Sequence, residues 1–207
     1  KNKSLQYLLE LGIGVCAPTI RGSSGYGAEY MALDDYRKRP DAIQDGIELA
    51  KFLVEKGYTS FDRLGVVGGS YGGFMVLALI TNAPKYFAAA VNVVGISNLV
   101  TFLKNTKPYR RKLREAEYGP LSDEIFLKSI SPIHKISEVR APLLVVHGVT
   151  DPRVPINEAE QLVGELKLAK KEVEYLFFED EGHGIRKLSN QIKYFEAMIK
   201  FFIKNLF

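Results

Sequence analysis

Cysteine occurs once in the 207 residues, at Cys16, so no intrachain disulfide can form. It stands in the apolar run Gly14-Val15-Cys16-Ala17 and is expected to be a small buried hydrophobe rather than a reactive thiol. No apolar stretch reaches the roughly 18 residues that a membrane-spanning helix needs. A signal-peptide pattern is also missing from the first residues, so the expected compartment is the cytoplasm. The chain starts at Lys1 rather than at a methionine, which leaves room for an upstream portion. Charge of one sign is scarce too: the formal net charge is only +4. Cations cluster once, at Lys104, Lys107, Arg110, Arg111, Lys112 and Arg114. Tyr109 is the only aromatic beside them and no nucleic-acid motif accompanies them. The run reads as a solvated helical face, and nucleic acid is not an expected partner.

What is present fits one α/β domain over residues 1–207, with neither an internal repeat nor a low-complexity segment. Helical and strand patterns alternate, which predicts a mostly parallel sheet flanked by helices. Leu5, Leu8, Leu9 and Leu11 mark an opening helix that stops at Gly12. Strands are expected over Ile13–Ala17, Arg63–Val67, Phe87–Val94, Leu143–Val146 and Val173–Phe178. Further helices are expected over Asp41–Gly57, Gly73–Thr81, Asn157–Ala169 and Leu188–Phe207. Residues 98–135 differ: charge density rises, Pro108, Pro120 and Pro132 interrupt them, and periodicity weakens. A cap or lid inserted between core elements fits this stretch, and so does a solvated excursion.

The chemistry-bearing motif is Gly68-Gly69-Ser70-Tyr71-Gly72-Gly73, which places G-x-S-x-G between a strand and a helix pattern. A strand-to-helix turn this tight strains the serine backbone and requires glycine neighbours. The Ser70 hydroxyl would then stand at a helix start, where the dipole favours developing negative charge. The backbone N–H of Tyr71 would be one oxyanion-hole donor. No lysine lies in or directly after the glycines, so the motif is not a phosphate-binding P-loop. A serine needs a base, and there are only three histidines: His134, His147 and His183. In this kind of fold the order is serine, then acid, then histidine. His183, in Glu181-Gly182-His183-Gly184 after the last strand, is the candidate base. His147 is the runner-up, more easily read as a buried polar residue bonded to backbone. His134 is expected to pack or cap. Asp151 follows the Leu143–Val146 strand and can reach Nδ1 of a neighbouring histidine. It could instead close an Asx-turn. Asp180 is the rival acid.

Three of these motifs agree in order and spacing with one family. The chain resembles the catalytic domain of the prolyl oligopeptidase family, in its acylaminoacyl-peptidase-like and dipeptidyl-peptidase-like branches. The segments that carry the resemblance are Arg21-Gly22-Ser23-Ser24-Gly25-Tyr26-Gly27, Gly68 to Gly73, Ser131-Pro132-Ile133 with Pro142 through His147-Gly148 to Asp151 and Arg153-Val154-Pro155, and Glu181 to Gly184. The resemblance implies an α/β-hydrolase fold and a Ser70–Asp151–His183 triad. It implies no cofactor and no metal, and hydrolysis of short peptides or esters through an acyl-enzyme.

The family's N-terminal strands, and the loop that supplies a second oxyanion donor, have no counterpart in this chain. Tyr26 is the candidate substitute donor, and Phe74 and Val94 are candidate substrate-lining residues. In the family's strand order another strand separates Ile13–Ala17 from Leu64–Val67. Those two segments are therefore expected either to pair directly or to leave a gap of exposed backbone groups. The chain reads as the C-terminal part of a longer enzyme or as a reduced relative. An exposed edge would favour a homo-oligomer or association with the N-terminal portion. Three functions compete: a serine peptidase, a carboxylesterase with the same triad, and a catalytically silent hydrolase-like interaction module.

Overall fold

Alternate residues of the central strands face opposite sides, and both sides are apolar, so this sheet has to be covered on both faces. The computed structural model, which describes residues 3–207, shows this arrangement. Four parallel strands, β1 (Gly65–Gly69), β2 (Ala89–Val93), β3 (Leu143–Gly148) and β4 (Val173–Phe178), form one sheet in that spatial order. Parallel neighbours need crossovers, and helices supply them. In chain order the helices are α1 (Lys3–Glu10), α2 (Ala28–Met31), α3 (Arg39–Glu55), α4 (Tyr71–Asn82), α5 (Leu99–Asn105), α6 (Pro108–Tyr118), α7 (Glu124–Ile130), α8 (Asn157–Leu168) and α9 (Leu188–Leu206).

Ala90, Leu143 and Val145 point into one core with residues of α3, α4, α5 and α8. Ala89, Val91, Leu144 and Val146 point into a second core with Leu8 of α1 and Met198, Phe201, Phe202 and Leu206 of α9. Each fully buried aliphatic or phenyl side chain contributes about 1.5–3 kcal/mol. Helix α4 is buried from Gly73 to Thr81, because it is wedged between β1, β2, α3 and the turn at Pro132–Glu138. Its one-sided pattern is therefore replaced by a continuous apolar run.

Residues 98–135 form α5, α6 and α7, three short helices with proline at their junctions. That explains the weak periodicity. Leu99, Leu103, Tyr118 and Leu127 are buried in the first core, while Lys112 of α6 is exposed and Arg110, Arg111 and Arg114 are half-buried.

The strand expected over Ile13–Ala17 does not form. The segment is irregular and mostly exposed, because no strand lies beside it to accept its backbone hydrogen bonds. Of the two outcomes foreseen there, the structure shows the gap: no described residue pairs with the outer edge of β1, and Val67 is 42% exposed. Cys16 is exposed for the same reason, not buried as expected.

Candidate active site

Every group of interest hangs from the carboxyl ends of β1, β3 and β4. Ser70 occupies the turn between β1 and α4 with φ 56° and ψ −117°, a strained conformation for any L-residue. The strain is held on both sides. The Ser70 N–H donates to the Val93 carbonyl at 2.9 Å, and the Ser70 carbonyl accepts from Phe74 N–H at 3.1 Å. A side chain at Gly68 would meet the Gly72 carbonyl oxygen at 2.3 Å, so the elbow closes only with glycine there.

Ser70, His183 and Asp151 come together. His183 Nε2 lies 2.8 Å from Ser70 Oγ, and His183 Nδ1 lies 2.8 Å from Asp151 Oδ2. An ionised Asp151 only accepts, so Nδ1 carries the ring proton and Nε2 is left to accept from the serine hydroxyl. The other Asp151 oxygen, Oδ1, accepts the backbone N–H groups of Arg153 at 2.7 Å and Val154 at 3.0 Å. Orienting acid and Asx-turn, read as alternatives from sequence, are thus realised by one carboxylate. Burial pushes Asp151 up, but the His183 bond and those two N–H bonds outweigh it and hold its carboxyl below the usual range.

The two loops that carry acid and base are fastened to each other. The Glu181 carbonyl accepts from Thr150 N–H at 3.1 Å and from Thr150 Oγ1 at 2.8 Å. A side chain at Gly148 would strike the Gly182 carbonyl at 2.3 Å, so this approach also demands glycine. The Glu181 carboxylate, buried at 3% exposure, accepts from Arg186 N–H, Lys187 N–H and Asn190 Nδ2. It ties the far side of the His183 loop to the start of α9. Glu181 went unassigned in the sequence because nothing local shows that its carboxylate turns inward.

His147 is fully buried, and its Nε2–H donates to the Val154 carbonyl at 2.9 Å. Burial lowers its proton affinity and keeps it neutral. It props the Asp151 turn and does not reach Ser70. Asp180 is turned away, bonded to Lys187 and Asn190, and His134 is exposed on the turn before β3.

Tyr71 opens α4, so its N–H is one of the first-turn amides without an intrahelical acceptor. Its phenol donates to Asp34 Oδ2 at 2.8 Å, and burial keeps that phenol protonated. The fully buried Arg39 pairs with Asp34 and lies between the rings of Tyr71 (5.0 Å) and Tyr118 (4.8 Å). A cavity of about 360 Å³ opens beside Tyr71, lined by Met31, Ala32, Asp34, Asp35 and Glu117 among others. Of this lining only Gly22 and Tyr71 belong to motifs read from the sequence, because three separate segments meet there. Tyr26 is 64% exposed with its ring against Tyr30, and it takes no part in the hydrogen-bond network around Ser70. Phe74 and Val94, at 0% and 3% exposure, are packed in the core and offer no surface to a substrate. Val94 carries strain of its own, a β-branched residue at φ 46°.

A parallel sheet with a strained serine elbow, and a histidine and an acid brought to it from the next strand ends, is an α/β-hydrolase-type domain. The model of the prolyl oligopeptidase family matches residues 2–207, and the chain belongs to that family. It is 32% identical over 204 residues to dipeptidyl aminopeptidase BIII of Pseudoxanthomonas mexicana, covering 96% of this chain and 30% of that protein. A puromycin-hydrolyzing peptidase of Mycobacterium tuberculosis superposes with a TM-score of 0.94 at 32% identity, over 99% of this chain and 31% of that one. The Pyrococcus horikoshii acylaminoacyl peptidase superposes with a TM-score of 0.81 at 25% identity, over 90% of this chain and 31% of that one. The chain thus spans about a third of the length of these relatives. Among the described residues no helix is long and apolar enough to cross a membrane, and no cluster of metal-ligating side chains occurs.

Proposed function

We propose that the chain carries the hydrolytic centre of a serine peptidase that cleaves short peptides through an acyl-enzyme. The observation that carries this reading is the continuous relay from Ser70 Oγ through His183 to Asp151, with both links at 2.8 Å. His183 Nε2 takes the hydroxyl proton as Ser70 Oγ attacks the carbonyl carbon. Asp151 holds the resulting imidazolium and its tautomer. The oxyanion that forms is met by the Tyr71 N–H at the start of α4. His183 then gives its proton to the leaving amine, and water repeats the sequence to free the acyl group and restore Ser70. The cavity beside Tyr71, the residue that follows the nucleophile, supplies room for a substrate side chain. The lone exposed thiol of Cys16 suits the reducing cytoplasm.

Fluorophosphonate labelling, located by mass spectrometry, tests the reading. Labelling at Ser70 that disappears in Ser70→Ala supports it; an unlabelled protein is the silent interaction module instead. Turnover of aminoacyl p-nitroanilides alongside p-nitrophenyl esters supports a peptidase, while turnover of the esters alone makes the protein a carboxylesterase.

A further inference from the structure

The acid and the base each have a group that fixes them from behind: His147 at the Asp151 turn and Glu181 at the His183 loop. Tyr71, whose N–H is the proposed oxyanion donor, is fixed by a pair from another part of the chain. Arg39, the first residue of α3, is fully buried. Its Nη1 donates to Asp34 Oδ2, and its Nη2 donates to the Glu117 carbonyl of α6 at 2.8 Å. The same Asp34 oxygen accepts the Tyr71 phenol at 2.8 Å, and the guanidinium lies 5.0 Å from the centre of the Tyr71 ring. Asp34, itself buried, fits there only because Gly22 has no side chain, since a Cβ at Gly22 would strike its carboxylate. One ion pair thus joins the loop at Gly22, the start of α3, the end of α6 and the residue after the nucleophile.

Stability alone does not account for this pair. Burying an arginine and an aspartate costs hydration that well-packed apolar side chains would not lose. Arg39 Nε even lacks a hydrogen-bond partner among the described residues. What the pair grips is Tyr71. The Tyr71 N–H belongs to the Ser70–Tyr71 peptide, and rotation about the Cα–C bond of Ser70 swings it. Ser70 is held at φ 56° and ψ −117°, away from where an L-residue relaxes. Bonds to Val93 and Phe74 hold the Ser70 side of that peptide, and the Asp34–Arg39 pair holds the Tyr71 side. Resting on the peptidase reading above, we infer that Asp34 and Arg39 are positioning residues for the oxyanion donor: they anchor the Tyr71 side chain and so keep its N–H aimed at the oxyanion.

The test separates effects on the transition state from effects on substrate binding. kcat and KM on an aminoacyl p-nitroanilide are measured for the wild type, Tyr71→Phe, Arg39→Met, Arg39→Lys and Leu166→Ala, with inhibition by a peptidyl trifluoromethyl ketone alongside. When that inhibitor binds, Ser70 Oγ bonds to the ketone carbon, the hydroxyl proton passes to His183 Nε2, and the ketone oxygen becomes an oxyanion facing the same donor. Tyr71→Phe keeps the ring and the N–H and removes only the hydroxyl that bonds Asp34. It should lower kcat about tenfold with KM changed less than about twofold, and weaken the inhibitor by a similar factor. Arg39→Met should act in the same way and more strongly. Arg39→Lys, which can still pair with Asp34, should recover part of the loss. Leu166→Ala opens a cavity in the first core and should lower the urea midpoint while leaving kcat and inhibitor affinity unchanged. If Arg39→Met does not fold, Tyr71→Phe decides alone. Unchanged kcat and inhibitor affinity in Tyr71→Phe overturn the proposal. So does a raised KM at constant kcat, which makes the phenol a substrate contact. A kcat loss in Leu166→Ala as large as that in Tyr71→Phe also overturns it, by reducing the effect to general loosening. In these three cases Ser70 still labels with fluorophosphonate and the peptidase reading stands. Turnover of esters alone removes the peptidase reading, and the same comparison on the ester then decides the positioning pair. A wild type that neither labels nor turns over substrate overturns both.

Discussion

The two ends of the sheet are built to different standards. At the β3–β4 end, acid and base sit on loops bonded to each other and to the helix that follows. Asp151 is saturated with donors, His147 props its turn from below, and Glu181 clamps the His183 loop. Beyond β1, residues 13–20 form no strand, Val15 is 40% exposed and Tyr26 is 64% exposed. Ser70 stands where the two regimes meet. The contrast teaches that the proton-transfer geometry is internal to residues 143–190 plus one elbow. Beyond β1 the residues 13–19 add no strand, and this side is tied back to the core from Arg21 onward, whose N–H and guanidinium bond Asp45 of α3.

The largest expected effect lies at the well-bonded end. His183→Ala should lower kcat/KM by about 10⁴-fold, whereas His147→Ala should lose about tenfold, through a loosened Asp151 turn. Steady-state kinetics on one p-nitroanilide decide; if His147 proves the costlier position, the base is wrongly assigned.

In stability, Leu144→Ala in the buried face of β3 should cost about 2–5 kcal/mol, while Val15→Ala should stay within about 0.5 kcal/mol. Urea denaturation of both variants measures the difference, and comparable losses would erase the contrast between the two ends.

A smaller effect follows from Asp151, whose folded value lies below the ordinary 3.8. Its stabilisation is complete above the unfolded value and is lost as pH falls through the folded one. Between the two the unfolded chain binds the extra proton, so wild-type stability should rise with pH there. Asp151→Asn should lack that increment. Urea midpoints for both proteins between about pH 2 and pH 5 check this, and parallel curves would contradict it.

The smallest effect is expected at Tyr26. With its ring against Tyr30 and outside the Ser70 network, Tyr26→Phe should change kcat by less than about twofold. Loss of an oxyanion donor costs far more, roughly 2.7–4 kcal/mol, so a large drop would return Tyr26 to the oxyanion hole.

Local sequence was enough where a motif carries its own constraint. The glycines around Ser70 announce an elbow, because only a strained strand-to-helix turn excludes side chains on both sides of a serine. The helices at 39–55, 71–82, 157–168 and 188–206 and all four observed strands were legible to within a few residues, since each is either a continuous apolar run or buries a repeating apolar face. Ile13–Ala17 misled for a physical reason. Its apolar residues have strand character, but a strand exists only with a hydrogen-bonded neighbour, and that neighbour is not a property of the segment. The same limit made Cys16 look buried and made Phe74 and Val94 look like candidates for lining a pocket.

By itself, then, the amino-acid order determined the α/β alternation, the nucleophile elbow, and the serine–acid–histidine order of the groups gathered at it. Each of these is encoded in short-range spacing and in backbone conformations open only to particular residues. The tertiary structure alone decided that Asp151 serves His183 and its own turn at once, that His147 is a prop, and that Glu181 locks the base loop. It also decided that no described residue pairs with the outer edge of β1. Those facts depend on which distant segments meet. Burial and hydrogen-bond partnership belong to the packed chain, not to any stretch of it.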